Sequence, residues 1–352
     1  MELEKIKERF IAFAESECKD NSELYYKLSN EVANDEGLLK IASNTRPGQP
    51  IPNIFFASVH YLLLKNSKNE LANYYPSILR KQVSEIPFAI FKSFCIENES
   101  EIKKIISTRI VQTNVINRCA YLMPIFSKII TDENRPTTII DIGTSAGLTL
   151  NFDKYEYWYN DRKTFGDSKV INKSTIIEST IPEIYNISQP ILKIRIDQNI
   201  IDLTEKDEIL WLKALVWTDQ LERFVAIDEA LKLDELKNIK FIRASTIFSF
   251  EGEILKADRN QNLIVYSTHV LYQFTQEQKA DFYAMLETVG QERDFYFLSV
   301  EGIKNLLDRY NTKEIIIELT HFKNKQKTEM FLAETNGHGN WIKWTNNYST
   351  QR

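Results

Sequence analysis

The stretch Asp141-Ile142-Gly143-Thr144-Ser145-Ala146-Gly147 sets a carboxylate, a hydroxyl and two bare backbone positions within one short turn. Glycine at 143 and 147 lets a ligand come close to the main chain, and a helix beginning just afterwards aims its N–H groups at that ligand. Asp141 is placed to hold a ligand amino group, directly or through water. Asp197 closes a later apolar run, where an acidic side chain can accept both hydroxyls of a ribose. Ser267 and His269 close another such run and can take a proton from an acceptor that has one to lose. Asn114 and Arg118 are spaced one helical turn apart. With Tyr155 and His338 they are candidates for a substrate contact or a lid.

The same turn supports two other readings. Gly143-Thr144-Ser145-Ala146-Gly147 fits the Gly-x-Ser-x-Gly nucleophile turn of a serine hydrolase, and His338 follows in a suitable order. That turn normally follows several strands, however, and here helices precede it, with no candidate for the oxyanion loop. The other reading is a tight turn without chemistry, in a non-catalytic binding or scaffold protein. A nicotinamide cofactor is disfavoured, because Gly-x-Gly-x-x-Gly is absent.

Hydrophobic periodicity gives the elements that must position these residues. Leu3, Ile6, Phe10, Phe13 and Ala14 recur at threes and fours, and Leu24, Leu28 and Val32 line a helix over Glu23–Ala33. Asn53–Lys65 is apolar nearly all round, as a buried helix would be. Ile86–Glu97, Glu99–Ile106 and Thr113–Ile130 continue the helical series, and no strand-like alternation precedes Thr137. From there strand and helix alternate. Thr137–Ile140 is β-branched and uncharged, suiting a strand buried on both faces. Ile191–Ile196, Lys240–Arg243, Leu263–Tyr266 and Phe295–Val300 follow as strands. Thr204-x-x-Asp207 and Thr275-x-x-Gln278 begin helices with capping pairs, the first a long helix reaching Leu231. Glu314–Thr320 and Glu329–Ala333 flank a Lys-rich turn as a hairpin. Long crossovers between strands imply a parallel sheet covered by helices. The aromatic segment Asp153–Gln189, with Tyr155, Tyr157, Trp158, Tyr159 and Phe165, interrupts this order as an excursion that covers the site or packs as a hydrophobic satellite. The change of composition at Thr131–Pro136 places the boundary between an all-helical N-terminal domain, 1–133, and an α/β domain, 134–352.

The totals narrow the classes of partner. A net charge of −5 and no sustained basic stripe speak against nucleic acid or an anionic membrane surface. No run approaches the ~20 apolar residues a membrane span needs. Cys18, Cys95 and Cys119 are far apart, lack the paired spacing of a zinc site, and read as buried thiols. With a charged, helical N-terminus, these features lead to the expectation of a cytoplasmic protein acting on a small molecule.

The five-strand pattern closed by a hairpin resembles the class I S-adenosylmethionine-dependent methyltransferase fold, a Rossmann-like sheet of seven strands whose last pair is antiparallel. Asp141, Gly143 and Gly147 match that family's first motif, with Ser145 where its middle glycine usually stands. Longer blocks resemble the bacterial family called domain of unknown function 2332, regarded as methyltransferase-like in fold. They are Asn53–Leu64, Tyr74–Ser77, Thr108–Ala120, Ile140–Tyr155, Ile196–Leu203, Ala214–Glu222, Val265–Phe274, Ser299–Gly302 and His338–Trp341. Three positions depart from that family: Thr149 replaces an Asn, Ser245 an Asp and Ser267 a His. The resemblance implies S-adenosylmethionine held by Asp141, Gly143, Ser145, Gly147, Asp197 and Ser245. It also implies that Ser267 and His269 face the methyl group.

Overall fold

Thr137–Ile142 (β1) is buried at every position, as its uncharged β-branched sequence requires of a strand covered on both faces. Around it the computed structural model, which describes residues 2–199, 201–233, 239–244, 247–302, 312 and 314–345, builds one mixed sheet of eleven strands. The others are β2 (Glu156–Tyr159), β3 (Arg162–Phe165), β4 (Ile171–Ile176), β5 (Ile191–Asp197), β6 (Lys240–Arg243), β7 (Asn262–Thr268), β8 (Phe295–Gly302), β9 (Ile315–Lys323), β10 (Gln326–Thr335) and β11 (Trp341–Trp344). Their order is β3-β2-β4-β11-β10-β9-β8-β7-β1-β5-β6.

The five strands β6-β5-β1-β7-β8 run parallel, and β9 and β10 add the expected hairpin antiparallel to β8. Asn324 and Lys325, both at positive φ, make its two-residue turn. The seven-strand count is corrected to eleven. The excess comes from β11 and from the Asp153–Gln189 excursion, whose β2 and β3 form a second hairpin through Asn160 and Asp161, also both at positive φ. Parallel pairing of β4 with β11 fastens this excursion to the far edge of the sheet.

Two faces of helix cover the parallel strands. Ile140, Ile142, Ile196 and Val265 pack with Phe282, Leu286 and Val289 of the helix Gln276–Glu292, which opens with the expected Thr275–Gln278 capping box. On the other face lies the helix Cys119–Glu133, where Phe126 sets its ring 5.2 Å from Tyr266 and 5.1 Å from Phe152.

The chain divides into two compact units, Met1–Thr113 with Asp202–Asp228, and Asn114–Ile201 with Glu229–Arg352. This division by contacts changes at Asn114, before the composition shift at 131–136. Thr131–Glu133 end the helix Cys119–Glu133 and Asn134–Pro136 turn into β1, with Asn134 at φ +48. Residues 202–228 go with the helices, because Trp211, Ala214 and Leu215 belong to the aromatic core of Phe10, Tyr25, Phe55, Phe56 and Phe91. The single long helix expected after Thr204 is two, Lys206–Ala214 and Leu221–Ala230, and the first starts after Glu205 without a side-chain cap. Thr204 instead donates its hydroxyl to Asp202. All three cysteines are free and buried. Among the described residues no helix is long and apolar enough to cross a membrane.

Candidate functional site

From β1 the chain proceeds to β5 and β6 on one side and later to β7 and β8 on the other, so the order reverses between β1 and β7. In open parallel sheets the crevice at the carboxyl ends of the strands around such a reversal is where ligands bind. Two clusters of the sequence candidates meet there.

At the first, β1 ends by lending the amides of Gly143 and Thr144 to the Ile196 carbonyl, at 2.8 and 3.3 Å. Gly143, Ser145 and Gly147 then all take positive φ, +73, +53 and +75. A left-handed serine costs about 1 kcal/mol, and its contacts hold it there. The Ser145 amide donates to Asp197 Oδ2 at 2.8 Å, and Asn114 Nδ2 donates to Ser145 Oγ at 2.7 Å. Asp197 Oδ1 accepts from the Asn199 amide at 2.9 Å. The carboxylate at the tip of β5 thus faces the glycine turn at the tip of β1, as the sequence anticipates.

Side chains of the chain itself lie against both glycines. A Cβ on Gly143 would stand 2.4 Å from Cγ2 of Val270, and one on Gly147 would stand 2.3 Å from Cδ of Arg195. The bare positions are therefore required by Val270 and Arg195. Asp141 pairs in register with Arg195 and Tyr266 and points into the face covered by the helix Cys119–Glu133. It is almost wholly buried and accepts from Thr149 Oγ1 at 3.2 Å, which also contacts the Tyr266 hydroxyl at 3.1 Å. Burial raises its pKa to about 7, against the lowering effect of the hydroxyl groups.

The second cluster gathers at the tips of β7 and β8. His269 leaves β7 at φ +57, its amide on the Val300 carbonyl at 2.9 Å. Arg118 Nε donates to the Gly337 carbonyl at 3.1 Å, and Nη1 reaches Thr268 O and Oγ1 at 3.4 and 3.5 Å. Asn117 binds the carbonyls of His338 and Gly339, both at 3.2 Å, so the loop between β10 and β11 is clasped onto this end of the sheet. Burial, then Arg118 and His338, depress His269 to a pKa of about 2. Fully buried Glu301 accepts the amides of Val270 and Leu271 on Oε1, at 2.8 and 2.9 Å, and burial raises its pKa.

Asp141, Gly143, Ser145, Gly147, Asp197 and Asn114 thus form one corner, and Arg118, His269 and His338 a second. Ser267 joins neither. It pairs with Ile142 and Ser299 and is fully buried in the face covered by the helix Gln276–Glu292. Tyr155 is interior, donating to the Leu148 carbonyl at 2.6 Å, so it holds the turn after Gly147 and forms no lid. Asn114 and Arg118 do not share a helix face, because the α-helix begins at Cys119 behind a 3₁₀ turn, Ile116–Arg118. Ser245 lies outside the described residues. Sequence reasoning passed over Val270, Arg195, Thr149 and Glu301 as partners of the site. For Val270 a signal existed, its place directly after His269 at a strand end.

Among the described residues no group of His, Cys, Asp and Glu is arranged to hold a metal ion. A cleft of about 630 Å³ lies at the opposite end of β5, beside Leu192, Lys193 and Asp153. No match was found among curated proteins. The family model described as an uncharacterized protein conserved in bacteria, domain of unknown function 2332, matches residues 7–344, nearly the whole chain. The chain belongs to that family.

Proposed function

We propose that the chain is a methyltransferase-like protein that binds S-adenosylmethionine across the tips of β1 and β5 and acts on a small molecule. The observation that carries this reading is the Asp197 carboxylate facing the left-handed turn at Ser145, beside the reversal of strand order. The residues suit one half of such a group. Asp197 accepts the Ser145 amide on Oδ2 and the Asn199 amide on Oδ1, and a carboxylate at a strand tip is the kind of group that accepts ribose hydroxyls. The other half does not fit as the turn stands, since Val270 fills the hollow over Gly143 and Asp141 is turned inward. When bound, the cofactor would supply a methyl group on a sulfonium. The methionyl end lacks room until Val270 moves.

That same contact favours a second reading, a non-catalytic relative whose cofactor hollow is permanently filled. Asn114, which donates to Ser145 Oγ, cannot act as the base that a serine nucleophile needs.

Calorimetry with S-adenosylmethionine and S-adenosylhomocysteine separates the two, using wild type, Asp197→Asn and Val270→Ala. The first reading expects binding by wild type and a loss of about ten- to a hundredfold in Asp197→Asn, as for hydrogen bonds to a charged group. Binding by Val270→Ala but not by wild type would favour the filled, non-catalytic form. Absence of heat and of thermal shift in wild type and Val270→Ala alike would defeat both.

A further inference from the structure

We propose that Arg118 and His269, where the β10–β11 loop meets the tip of β7, form a binding site for the carboxylate of a small organic anion. Arg118 spends its guanidinium on neutral acceptors, the Gly337 and Thr268 carbonyls and the Thr268 hydroxyl. It makes no ion pair among the described residues, and Nη2 has no hydrogen-bond partner there. A partly buried cation in this condition gains from any anion that can reach it, and guanidinium matches a carboxylate edge to edge. Burial accordingly lowers the Arg118 pKa.

His269 supplies the second group. Its Nε2 is buried and has no partner in the protein, an arrangement that costs free energy unless something else bonds it. Its left-handed backbone is a strain of the kind that persists at ligand contacts. Gly337 borders the ring, where an added Cβ would stand in ordinary contact with His269 Cε1 at 3.9 Å and Ile315 Cδ1 at 3.7 Å, so this wall of the site tolerates one more carbon.

Charge selects the anion. His269, its pKa held near 2, is neutral at physiological pH and offers one donor without a charge. Arg118 contributes one positive charge, and Glu301 stands near enough to interact with it. One cation beside a carboxyl group suits a monoanion and disfavours phosphate. The site makes no demand on Gly143 or Asp197, so failure of S-adenosylmethionine to bind would leave it standing.

The test titrates the full chain at constant ionic strength with acetate, benzoate and inorganic phosphate, against chloride. Melting temperature and the imidazole ¹⁵N resonances of wild type are followed together. Acetate or benzoate should raise the melting temperature saturably and shift the Nε2 resonance of His269, while phosphate matches chloride. Arg118→Met should weaken benzoate binding by about ten- to a hundredfold. His269→Asn, which suits the left-handed backbone, should assign the resonance and weaken binding by about three- to tenfold. Unaltered binding in Arg118→Met, or binding of phosphate alone, overturns the proposal. Should the variants fail to fold, a His269 resonance in wild type that ignores benzoate up to its solubility limit overturns it equally.

Discussion

Replacing Asp141 by Asn should stabilise the protein at alkaline pH and leave it nearly unchanged at pH 4. Asp141 is 3% exposed, and its pKa rises from 3.8 to about 7, chiefly through burial. Between those two values the folded chain keeps a proton that the unfolded chain has released. Stability therefore falls as pH rises through this window, and the loss is complete above pH 7. Some 3 pKa units correspond to a ceiling of roughly 4 kcal/mol, and relaxation around the charge brings the expected figure to about 2–4 kcal/mol. Asparagine has the shape of the protonated carboxyl, with one acceptor for Thr149 and a donor in place of the hydroxyl, but never ionises. Urea unfolding of both proteins at intervals from pH 4.5 to 8.5, followed by circular dichroism, gives the difference directly. Groups titrating in both proteins cancel. If the difference is flat, or if wild type gains on the variant as pH rises, then Asp141 is ionised in the fold and the inward reading of this carboxyl is wrong.

Three further outcomes are expected. Ser145→Gly should be more stable than Ser145→Ala by about 1 kcal/mol in thermal unfolding, the reverse of the usual order, because φ is +53 there and both variants lose the Asn114 bond alike. Gly290→Ala, within the helix Gln276–Glu292, should cost about 1–3 kcal/mol by denaturant titration instead of gaining the usual helical increment. The new Cβ would stand 2.3 Å from the ring of Phe322, which is pinned by stacking on Phe295 at 4.6 Å. His60 is buried between the Ala214 carbonyl and the Ser77 hydroxyl, and burial lowers its pKa from 6.5 to about 4. Stability should fall as pH drops from 6.5 towards 4, by up to about 3 kcal/mol, and His60→Asn should flatten that slope in pH-dependent unfolding.

The parallel strands were legible because burial on both faces writes itself as uncharged runs such as Thr137–Ile140. The hairpin of β9 and β10 and the capping box at Thr275 were legible through local chemistry. β4 was not. Its inward positions are Asn172, Ser174 and Ile176, while Ile171 points outward, so the apolar alternation that marks a strand is inverted for most of its length. β2 and β3 carried a turn signal in Asn160-Asp161, but their aromatics gave no hint of which edge they join. The same limit applies to Asn114 and Arg118. Their spacing is helical, yet the backbone becomes an α-helix only at Cys119, so one reaches the Ser145 corner and the other the β7 tip.

The glycines of the first motif show where such inference stops. A bare position in a sequence reveals that something comes close to the backbone, and sterics alone do not say what. At Gly143 and Gly147 the nearest atoms belong to Val270 and Arg195, so the motif is already accounted for by packing within the sheet domain. A carboxylate is different, since its chemistry specifies the kind of partner, a hydrogen-bond donor or a cation. Asp197 accepts the Ser145 amide on Oδ2 and the Asn199 amide on Oδ1 at the carboxyl ends of the strands. For His269 the argument is stronger in kind, because a buried ring nitrogen without a partner carries a free-energy cost that a ligand relieves. An unmet hydrogen-bonding group is therefore a better pointer to a ligand than unfilled glycine space, and His269 at the tip of β7 supplies one.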